Sequence, residues 1–259
     1  MKQTAQLIWQ LSKQELKSQY SGSLFGQLWL ILQPILLLVV YGLVFAKILG
    51  LKWGTEPAHQ DMVFYALAIF TGLSLFSATA EILTSSPKTI FSQPNFVKKV
   101  RFNLLILPVV TWLKALVPFG FSLLILLLAL SFKIELNWAW LAVPFILFPY
   151  FIALLGASWL LAALSVYIRD IAQVMPAMSM FLLFLAPIFY PLSKVPESYS
   201  ILFYLNPMTW PIEALRGALF EGTLPSTAEW FIVYGIGMAS VLIGAYTFKV
   251  LQRGFADVL

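Results

Sequence analysis

Apolar runs of membrane-spanning length follow one another along this sequence and restrict what the chain can fold into. A helix needs about 20 mostly apolar residues to cross the hydrocarbon core of a bilayer, where it satisfies its own backbone hydrogen bonds. Six runs qualify: Leu28–Ile48, Met62–Leu83, Pro108–Phe132, Trp138–Val166, Ile171–Tyr190 and Glu229–Phe248. The sequence therefore predicts an all-α integral membrane protein with six transmembrane helices.

The composition supports this class and excludes several kinds of chemistry. Of the 259 residues, 61% are hydrophobic and 10% are charged, whereas soluble domains are about half apolar and about a quarter charged. Cysteine is absent and His59 is the single histidine, so we expect neither disulfides nor a histidine-based metal site or catalytic triad. The net charge of +5 comes from basic residues beside the spans, which membrane topology explains without a nucleic-acid partner.

The loop between the second and third spans, residues 85–107, fixes the orientation. It contains four basic residues and no acidic ones: Lys88, Lys98, Lys99 and Arg101. Short loops rich in Lys and Arg stay on the cytoplasmic side of a membrane. Apolar residues alternate with these charges, so this basic loop is either an anchor beside anionic lipid headgroups or a docking segment for a cytoplasmic protein.

The segments at the two ends share the side of the basic loop, because basic residues outnumber acidic ones there. Residues 1–27 predict an amphipathic interface helix and an entry loop, and residues 28–259 the six-span domain. The polar stripe of the helix is Gln3, Gln6, Gln10, Lys13 and Lys17. Such a helix lies at headgroup depth with its lysines facing water. Glu15 interrupts the apolar arc on the opposite side.

Two charged residues lie inside predicted spans, at similar depth near the basic loop. Glu81 is close to the end of the second span and Lys114 is about a turn and a half into the third. A lysine at a span end extends its ammonium group toward the interface. The alternative is a Glu81–Lys114 ion pair, since ionisable groups at this depth often find a counter-charge.

The segment 192–227 is too polar and too often broken to cross the bilayer, yet it contains two amphipathic stretches. Asn206 followed by Pro207 suits a helix N-cap with proline at the first position. Glu213 and Arg216 are three residues apart and can pair on that helix. We expect two short re-entrant helices in the outer leaflet, and because irregular backbone at such depth needs protein or a cavity around it, a pore mouth.

The sequence lacks the motifs by which a transporter powers itself with ATP or with protons. No Gly-rich phosphate loop ending in Gly-Lys-Ser/Thr occurs, so the chain cannot bind and split ATP in that manner. No paired acids lie mid-span, as they do in proton-driven carriers. A channel or a partner-driven transporter remains. Six spans are few for a wide pathway, which favours a homodimer.

Four blocks, in order, resemble type-2 ABC exporter permeases for polysaccharides, with the strongest likeness to O-antigen and teichoic-acid export permeases. The blocks are Tyr20-Ser21-Gly22-Ser23-Leu24-Phe25-Gly26 with Trp29 and Gln33-Pro34; Pro94 to Phe102, ending at Leu107-Pro108; Arg169-Asp170-Ile171; and Leu205-Asn206-Pro207-Met208 with Glu213 and Arg216. They correspond to that family's entry segment, coupling-helix loop, second inner turn and periplasmic gate.

The resemblance implies a machine driven from the cytosol. Two copies of the chain would pair with two soluble ATPase subunits, which hold the ATP and Mg, and no cofactor would bind this chain. The implied docking residues are Asn95, Phe96, Lys98, Lys99, Arg101, Arg169 and Asp170. For Arg169 and Asp170 the alternative is a local ion pair that caps two helices. The location implied is the bacterial inner membrane, with both termini in the cytoplasm.

The resemblance also implies a substrate, an undecaprenyl-diphosphate-linked glycan. We expect Lys13 and Lys17 to meet the diphosphate, and exposed aromatic residues to stack on sugar rings. The entry and pathway candidates are Lys13, Lys17, Tyr20, Trp29, Tyr41, Phe189 and Tyr190; the gate candidates are Tyr204, Asn206, Pro207, Trp210, Glu213 and Arg216. Aromatic residues make up 16% of the chain, and the alternative is that they face lipid or pack between helices.

Two other functions fit parts of the sequence. A drug or lipid exporter permease of the same type would share the fold and differ in the pathway. A membrane-embedded lipid-glycan transferase would need acidic or histidine residues gathered at one interface, and in this sequence they are scattered.

Overall fold

Helices make up the fold in a computed structural model, which describes residues 2–48, 62–93 and 102–258, and no strand occurs among those residues. The α-helices are α1 Lys2–Gln19, α2 Trp29–Tyr41, α3 Met62–Ser85, α4 Ile106–Ser131, α5 Val143–Tyr167, α6 Ile171–Phe184, α7 Glu197–Tyr204, α8 Thr209–Arg216, α9 Thr227–Leu251 and α10 Phe255–Val258. Wider π-helical turns extend α2 over Gly42–Ile48 and α8 over Gly217–Glu221. The all-α prediction is confirmed.

Five helical stretches within the described ranges are long and apolar enough to cross a membrane: Gly26–Phe45, Val63–Lys88, Ile106–Ser131, Trp138–Tyr167 and Thr227–Val258. They correspond to five of the six predicted spans. The remaining one, predicted over Ile171–Tyr190, contains the 14-residue helix α6. At 1.5 Å per residue, α6 is about 21 Å long, shorter than a hydrocarbon core of about 30 Å. Pro187 explains the early end, because proline disfavours helix in the residue before it.

The central helix is α3, the most buried of the spanning helices. It packs against α2, α4, α5, α6 and α8. Hydroxyl groups join it to its neighbours: Thr79 Oγ1 lies 2.6 Å from Tyr150 Oη on α5, and Tyr65 Oη donates to the Phe189 carbonyl at 2.8 Å. Side-chain hydrogen bonds of this kind hold helices together where the surrounding lipid is as apolar as the protein.

The closest helix pair is α5 with α9, and small residues allow it. A Cβ atom on Gly244 would lie 2.1 Å from the Gly156 carbonyl oxygen, and one on Gly237 would lie 2.7 Å from the Pro149 carbonyl oxygen. Between them, Ser240 Oγ donates to the Ala153 carbonyl at 2.7 Å. Backbone contact of this kind replaces side-chain packing at helix crossings in membranes.

The first helix, α1, is amphipathic as predicted, with one correction. Gln6, Gln10, Lys13 and Lys17 are exposed, while the side chain of Gln3 lies outside the described part. The more buried side follows the helical period and consists of Ile8, Leu11, Ser12, Glu15 and Leu16. It packs on α4. Glu15 therefore does not interrupt an apolar arc facing lipid; it lies on the side that meets the protein.

Candidate entry cavity and gate segment

A cavity of about 120 Å³ opens between the end of α1 and the helices α2, α3 and α4. Its walls combine aromatic rings, hydroxyl groups, amides and one charged pair. The lining residues are Gln19, Tyr20, Trp29, Leu30, Gln33, Pro34, Leu37, Phe70, Leu73, Ser74, Ser77, Ala78, Glu81, Lys114, Ala115, Pro118, Phe119 and Ser122. The cavity reaches from the level of α1 into the spanning helices, and we call it the entry cavity.

The charged pair is Glu81 with Lys114, and it settles the alternatives left by the sequence. Lys114 Nζ lies 3.0 Å from Glu81 Oε1, with the lysine side chain 19% exposed. Ser85 Oγ donates to the same carboxylate oxygen at 3.0 Å. Lys114 therefore pairs rather than reaching away to the interface, because neutralising a charge at this depth stabilises it more than partial hydration does.

Glu15 joins α1 to this charged region. Gln93, the last residue of the basic loop's first part that the structure describes, donates through Nε2 to Glu15 Oε1 at 3.5 Å. Burial raises the pKa of the Glu15 carboxyl, and Lys114 partly opposes that rise. A recess beneath the entry cavity is lined by Glu15, Lys88, Gln93 and Lys114 among others. Helix α1, the spanning helices α3 and α4 and the described start of the basic loop thus meet at one cluster.

The predicted entry residues separate into two groups. Tyr20 and Trp29 line the cavity, and Phe25 packs edge-on against Trp29 with ring centroids 5.7 Å apart. Lys13 and Lys17 are exposed on the outer side of α1 and do not line the cavity. Three residues of this region were not among the predicted site residues: Gln33, although it belongs to the entry-segment block, Glu15 and Gln93. An acid on the packed side of an amphipathic helix is the signal that points to Glu15.

The predicted aromatic pathway residues lie elsewhere in the protein. Tyr41, Phe45 and Phe189 form one cluster, with Phe45 and Phe189 stacked at a centroid distance of 5.1 Å. Tyr190 packs edge-on against Phe203 at 6.0 Å. Its hydroxyl donates to the Phe184 carbonyl at 3.0 Å. These residues do not share the entry cavity with Tyr20 and Trp29.

In the segment 192–227, which we call the gate segment, the side chain of Arg216 is buried, with 4% of it exposed. Its guanidinium donates to the carbonyl oxygens of Ala68 at 2.8 Å and of Ile188 at 2.9 Å, and also to that of Pro187. The predicted pair with Glu213 is confirmed at 3.2 Å. The planar fork of arginine suits several acceptors at once, so this one side chain joins α8 to α3 and to the non-helical segment after α6.

Asn206 makes the second link of the gate segment. Its Oδ1 accepts from the Met208 amide at 2.9 Å, a turn that precedes the helix. The predicted N-cap at Asn206 with Pro207 as the first helical residue is wrong, because α8 begins at Thr209 and its N-cap is Met208, which makes no side-chain cap. Asn206 Nδ2 donates to the Leu182 carbonyl of α6 at 2.8 Å. Pro207 and Tyr204 are exposed beside it. Trp210 packs edge-on against Trp230 at 5.9 Å, and its buried Nε1 has no hydrogen-bond partner in the part described.

The predicted docking residues are only partly visible. Asn95, Phe96, Lys98, Lys99 and Arg101 lie outside the described residues. Arg169 and Asp170 form the exposed turn between α5 and α6. Among the described residues neither makes an ion pair, and the Asp170 side chain does not cap α6. The alternative of an ion pair that caps two helices is therefore wrong, and both side chains are accessible.

Comparison with known proteins agrees with this architecture. The O-antigen export system permease protein RfbA of Klebsiella pneumoniae is 24% identical over 253 residues, which cover 96% of this chain and 93% of the relative. The protein of the same name from Myxococcus xanthus is 24% identical over 254 residues, 97% and 94% of the two chains. The sequence of residues 6–220 matches the family described as ABC-2 type transporter. This chain is therefore a multi-pass membrane protein that belongs to the ABC-2 type transporter family.

Proposed function

We propose that the chain is the permease subunit of an ATP-driven exporter that moves a lipid-linked polysaccharide across the bacterial inner membrane. Family membership supports the transporter class, and the similarity to O-antigen export permeases along nearly the full length supports the substrate class. The observation that carries the proposal is the entry cavity. It begins at the end of an interface helix and continues between spanning helices, a route that a lipid-anchored substrate can follow from the membrane.

The proposed substrate is an undecaprenyl-diphosphate-linked glycan of the O-antigen or teichoic-acid kind. Lys13 and Lys17, exposed on α1, would bind the diphosphate as point charges at headgroup depth. The glycan would then leave between α6, α7 and α8. In this proposal the gate consists of Tyr204, Asn206, Pro207, Trp210, Glu213 and Arg216, and the aromatic cluster of Tyr41, Phe189 and Tyr190 lies along the pathway.

The proposed topology has six crossings and both termini in the cytoplasm. The five spanning helices are joined by α6 as a short crossing, with α7 and α8 re-entering the outer leaflet and completing the thickness that α6 does not reach. Two copies would form the pore, and two cytoplasmic ATPase subunits holding ATP and Mg would dock on the basic loop and on Arg169–Asp170. That turn is exposed, and its two charged side chains make no ion pair with any residue in the described ranges, which supports a docking role.

Reconstitution with the ATPase partner tests the coupling. Permease and ATPase are placed in liposomes with a lipid-linked glycan, and ATP turnover and glycan entry into the lumen are measured. The combined substitutions Lys98→Glu, Lys99→Glu and Arg101→Glu should abolish coupled turnover, because they reverse the charge of the docking segment. Lys194→Glu, an exposed lysine near the gate, is the control and should leave turnover unchanged. Full coupling in the triple variant would refute the docking role.

Deletion in the native bacterium tests the substrate. Loss of the permease should remove the surface polysaccharide and leave the undecaprenyl-linked glycan on the cytoplasmic side. A deletion strain with normal surface polysaccharide and increased sensitivity to a drug would favour the alternative, a drug or lipid exporter with the same fold.

A further inference from the structure

We infer that the entry cavity is a binding subsite for one uncharged sugar ring, the ring that follows the diphosphate of the lipid carrier. This inference rests on the proposed function and names what the cavity recognises within it. At about 120 Å³ the cavity is smaller than one of about 150 Å³ that holds a benzene ring, so a single sugar ring would sit at its open mouth and a chain of rings would not enter it.

The side chain of Gln33 is the first argument. It is an exposed side chain that lines the cavity from within the first spanning helix, and no hydrogen bond joins its amide to another side chain or backbone group in the described part of the chain. An amide offers two N–H donors and a carbonyl acceptor. Polar groups without a partner are costly at membrane depth and mark substrate pathways. The groups that satisfy such an amide equally well as donor and acceptor are hydroxyls.

The charges of the cavity are the second argument, and they favour a sugar over a phosphate. Lys114 is already held by Glu81 at 3.0 Å, so the pair offers a diphosphate no uncompensated positive charge. The carboxylate of Glu81 accepts hydrogen bonds, as sugar hydroxyls require. An anion bound there would meet Glu81 and, beyond it, Glu15, whose field reaches the same lysine.

The hydroxyl groups of the cavity are similarly arranged to accept. Ser74 Oγ donates to the Thr71 carbonyl at 2.9 Å, and Ser122 Oγ donates to the Pro118 carbonyl at 3.0 Å. Ser77 Oγ donates to the Leu73 carbonyl at 2.9 Å. Each proton is therefore committed to its own helix, which leaves the oxygen lone pairs as acceptors for a ligand rich in O–H groups.

The rings of Tyr20 and Trp29 complete the site. Both are partly buried, and both line the cavity next to Gln33. The C–H face of a sugar ring packs on an aromatic face, and the indole N–H and phenol O–H add polar contacts at the edge. Lys17 lies just before Gln19 and Tyr20 in the chain. Lys17 and Tyr20 are three residues apart, less than one helical turn, so a diphosphate bound by Lys17 on the exposed side of α1 would lie near a next unit at the mouth of the cavity.

Binding of two lipids that differ by one sugar tests the inference. The permease–ATPase complex in nanodiscs is titrated with a polyprenyl diphosphate and with the same lipid carrying one N-acetylhexosamine. The wild-type complex should bind the sugar-bearing lipid about 10-fold more tightly, the gain of one or two net hydrogen bonds. Gln33→Leu and Trp29→Leu should remove this preference and leave the affinity for the bare lipid unchanged.

The control variants distinguish failure of the proposed sugar subsite from failure of the proposed exporter function. Gln27→Leu and Trp9→Leu change exposed residues of the same types that do not line the cavity, and both should keep the preference. Lys13→Gln with Lys17→Gln should weaken both lipids equally. Equal affinity of the wild type for the two lipids, or an unchanged preference in Gln33→Leu, overturns the sugar subsite while the exporter proposal stands. Binding of neither lipid overturns the proposed function itself.

Discussion

Among the described side chains of the gate segment, Arg216 makes the most hydrogen bonds to other parts of the protein. Replacing it by methionine keeps the length and removes every donor to Ala68, Pro187 and Ile188, and it leaves Glu213 without its counter-charge. Removing the charged donor from buried carbonyl groups costs about 1–3 kcal/mol for each group left unsatisfied. We expect Arg216→Met to lower the free energy of unfolding, measured in a detergent titration, by that amount or more, and Arg216→Lys to fall between it and the wild type.

Lys194→Met is the matched control, because Lys194 is an exposed cation in the same segment. It should unfold as the wild type does. A wild-type midpoint for Arg216→Met would mean that the carbonyl contacts contribute nothing to holding α8 in place.

Glu15 makes the packing of α1 depend on pH. Burial raises the pKa of Glu15 in the folded protein above its ordinary value of 4.5, so the folded state holds this proton more tightly than the unfolded state. Its contribution is therefore most favourable below the unfolded pKa and is lost as the pH rises through the folded pKa. We expect Glu15→Gln to stabilise the protein at pH 7.5 relative to the wild type, and this advantage to shrink toward pH 5.

Thermal unfolding of the wild type and of Glu15→Gln in nanodiscs, at pH 5 and at pH 7.5, measures how the stability difference between the two proteins changes with pH. Glu197→Gln, which changes an exposed acid in the first turn of α7, should show no such trend. If Glu15→Gln stabilised the protein equally at pH 5 and pH 7.5, the charge of the Glu15 carboxylate would not be what weakens the packing of α1.

Among the elements, the α5–α9 pair shows how closely two helices approach when glycine faces glycine. Gly244→Ala would place a methyl group 2.1 Å from a backbone oxygen of α5, and backbone cannot move aside as a side chain does. We expect it to destabilise the fold by about 1–3 kcal/mol. Gly235 lies on the same helix with nothing within 4 Å of an added Cβ, so Gly235→Ala should stabilise by up to about 1 kcal/mol. Unfolding titrations of both variants compare the two positions directly, and equal midpoints would exclude close backbone contact.

The elements also show what the sequence can and cannot reveal. Hydropathy and length predict the spanning helices, and helical spacing predicts the exposed stripe of α1. The end of α6 at Phe184 is harder to foresee, because apolar residues continue to Tyr190 and only the local effect of Pro187 stops the helix. Composition cannot distinguish an apolar run that stays helical from one that bends back into a packed turn.

The residues of the candidate site also divide into those whose place the sequence predicts and those whose place it does not. Tyr20 and Trp29 reach the cavity as their motif implies, whereas Lys13 and Lys17 share that region of the chain and face outward. The Glu81–Lys114 pair was foreseeable because both residues are charged and lie at one depth. The main partners of Arg216 were not, since they are backbone carbonyls, which every residue has and no sequence pattern marks.

For the whole molecule, α6 decides the sidedness of everything after it. If this short helix completes a crossing, residue 193 lies on the opposite side from residue 92; if it does not, the two lie together. The chain has no cysteine, so single substitutions at the exposed residues Ser92, Ser193 and Ala256 can be labelled one at a time. A membrane-impermeant maleimide applied to spheroplasts should label the Ser193→Cys variant at once.

The same reagent should label Ser92→Cys and Ala256→Cys after the membrane is permeabilised and not before. This result requires an odd number of crossings between residues 92 and 193, which the two spanning helices α4 and α5 cannot supply without α6. It also requires an odd number between residues 193 and 256, which α9 supplies if α7 and α8 enter and leave on one face. Protection of Ser193→Cys in intact spheroplasts would place the gate segment on the side of the basic loop, and the six-crossing arrangement would have to be abandoned.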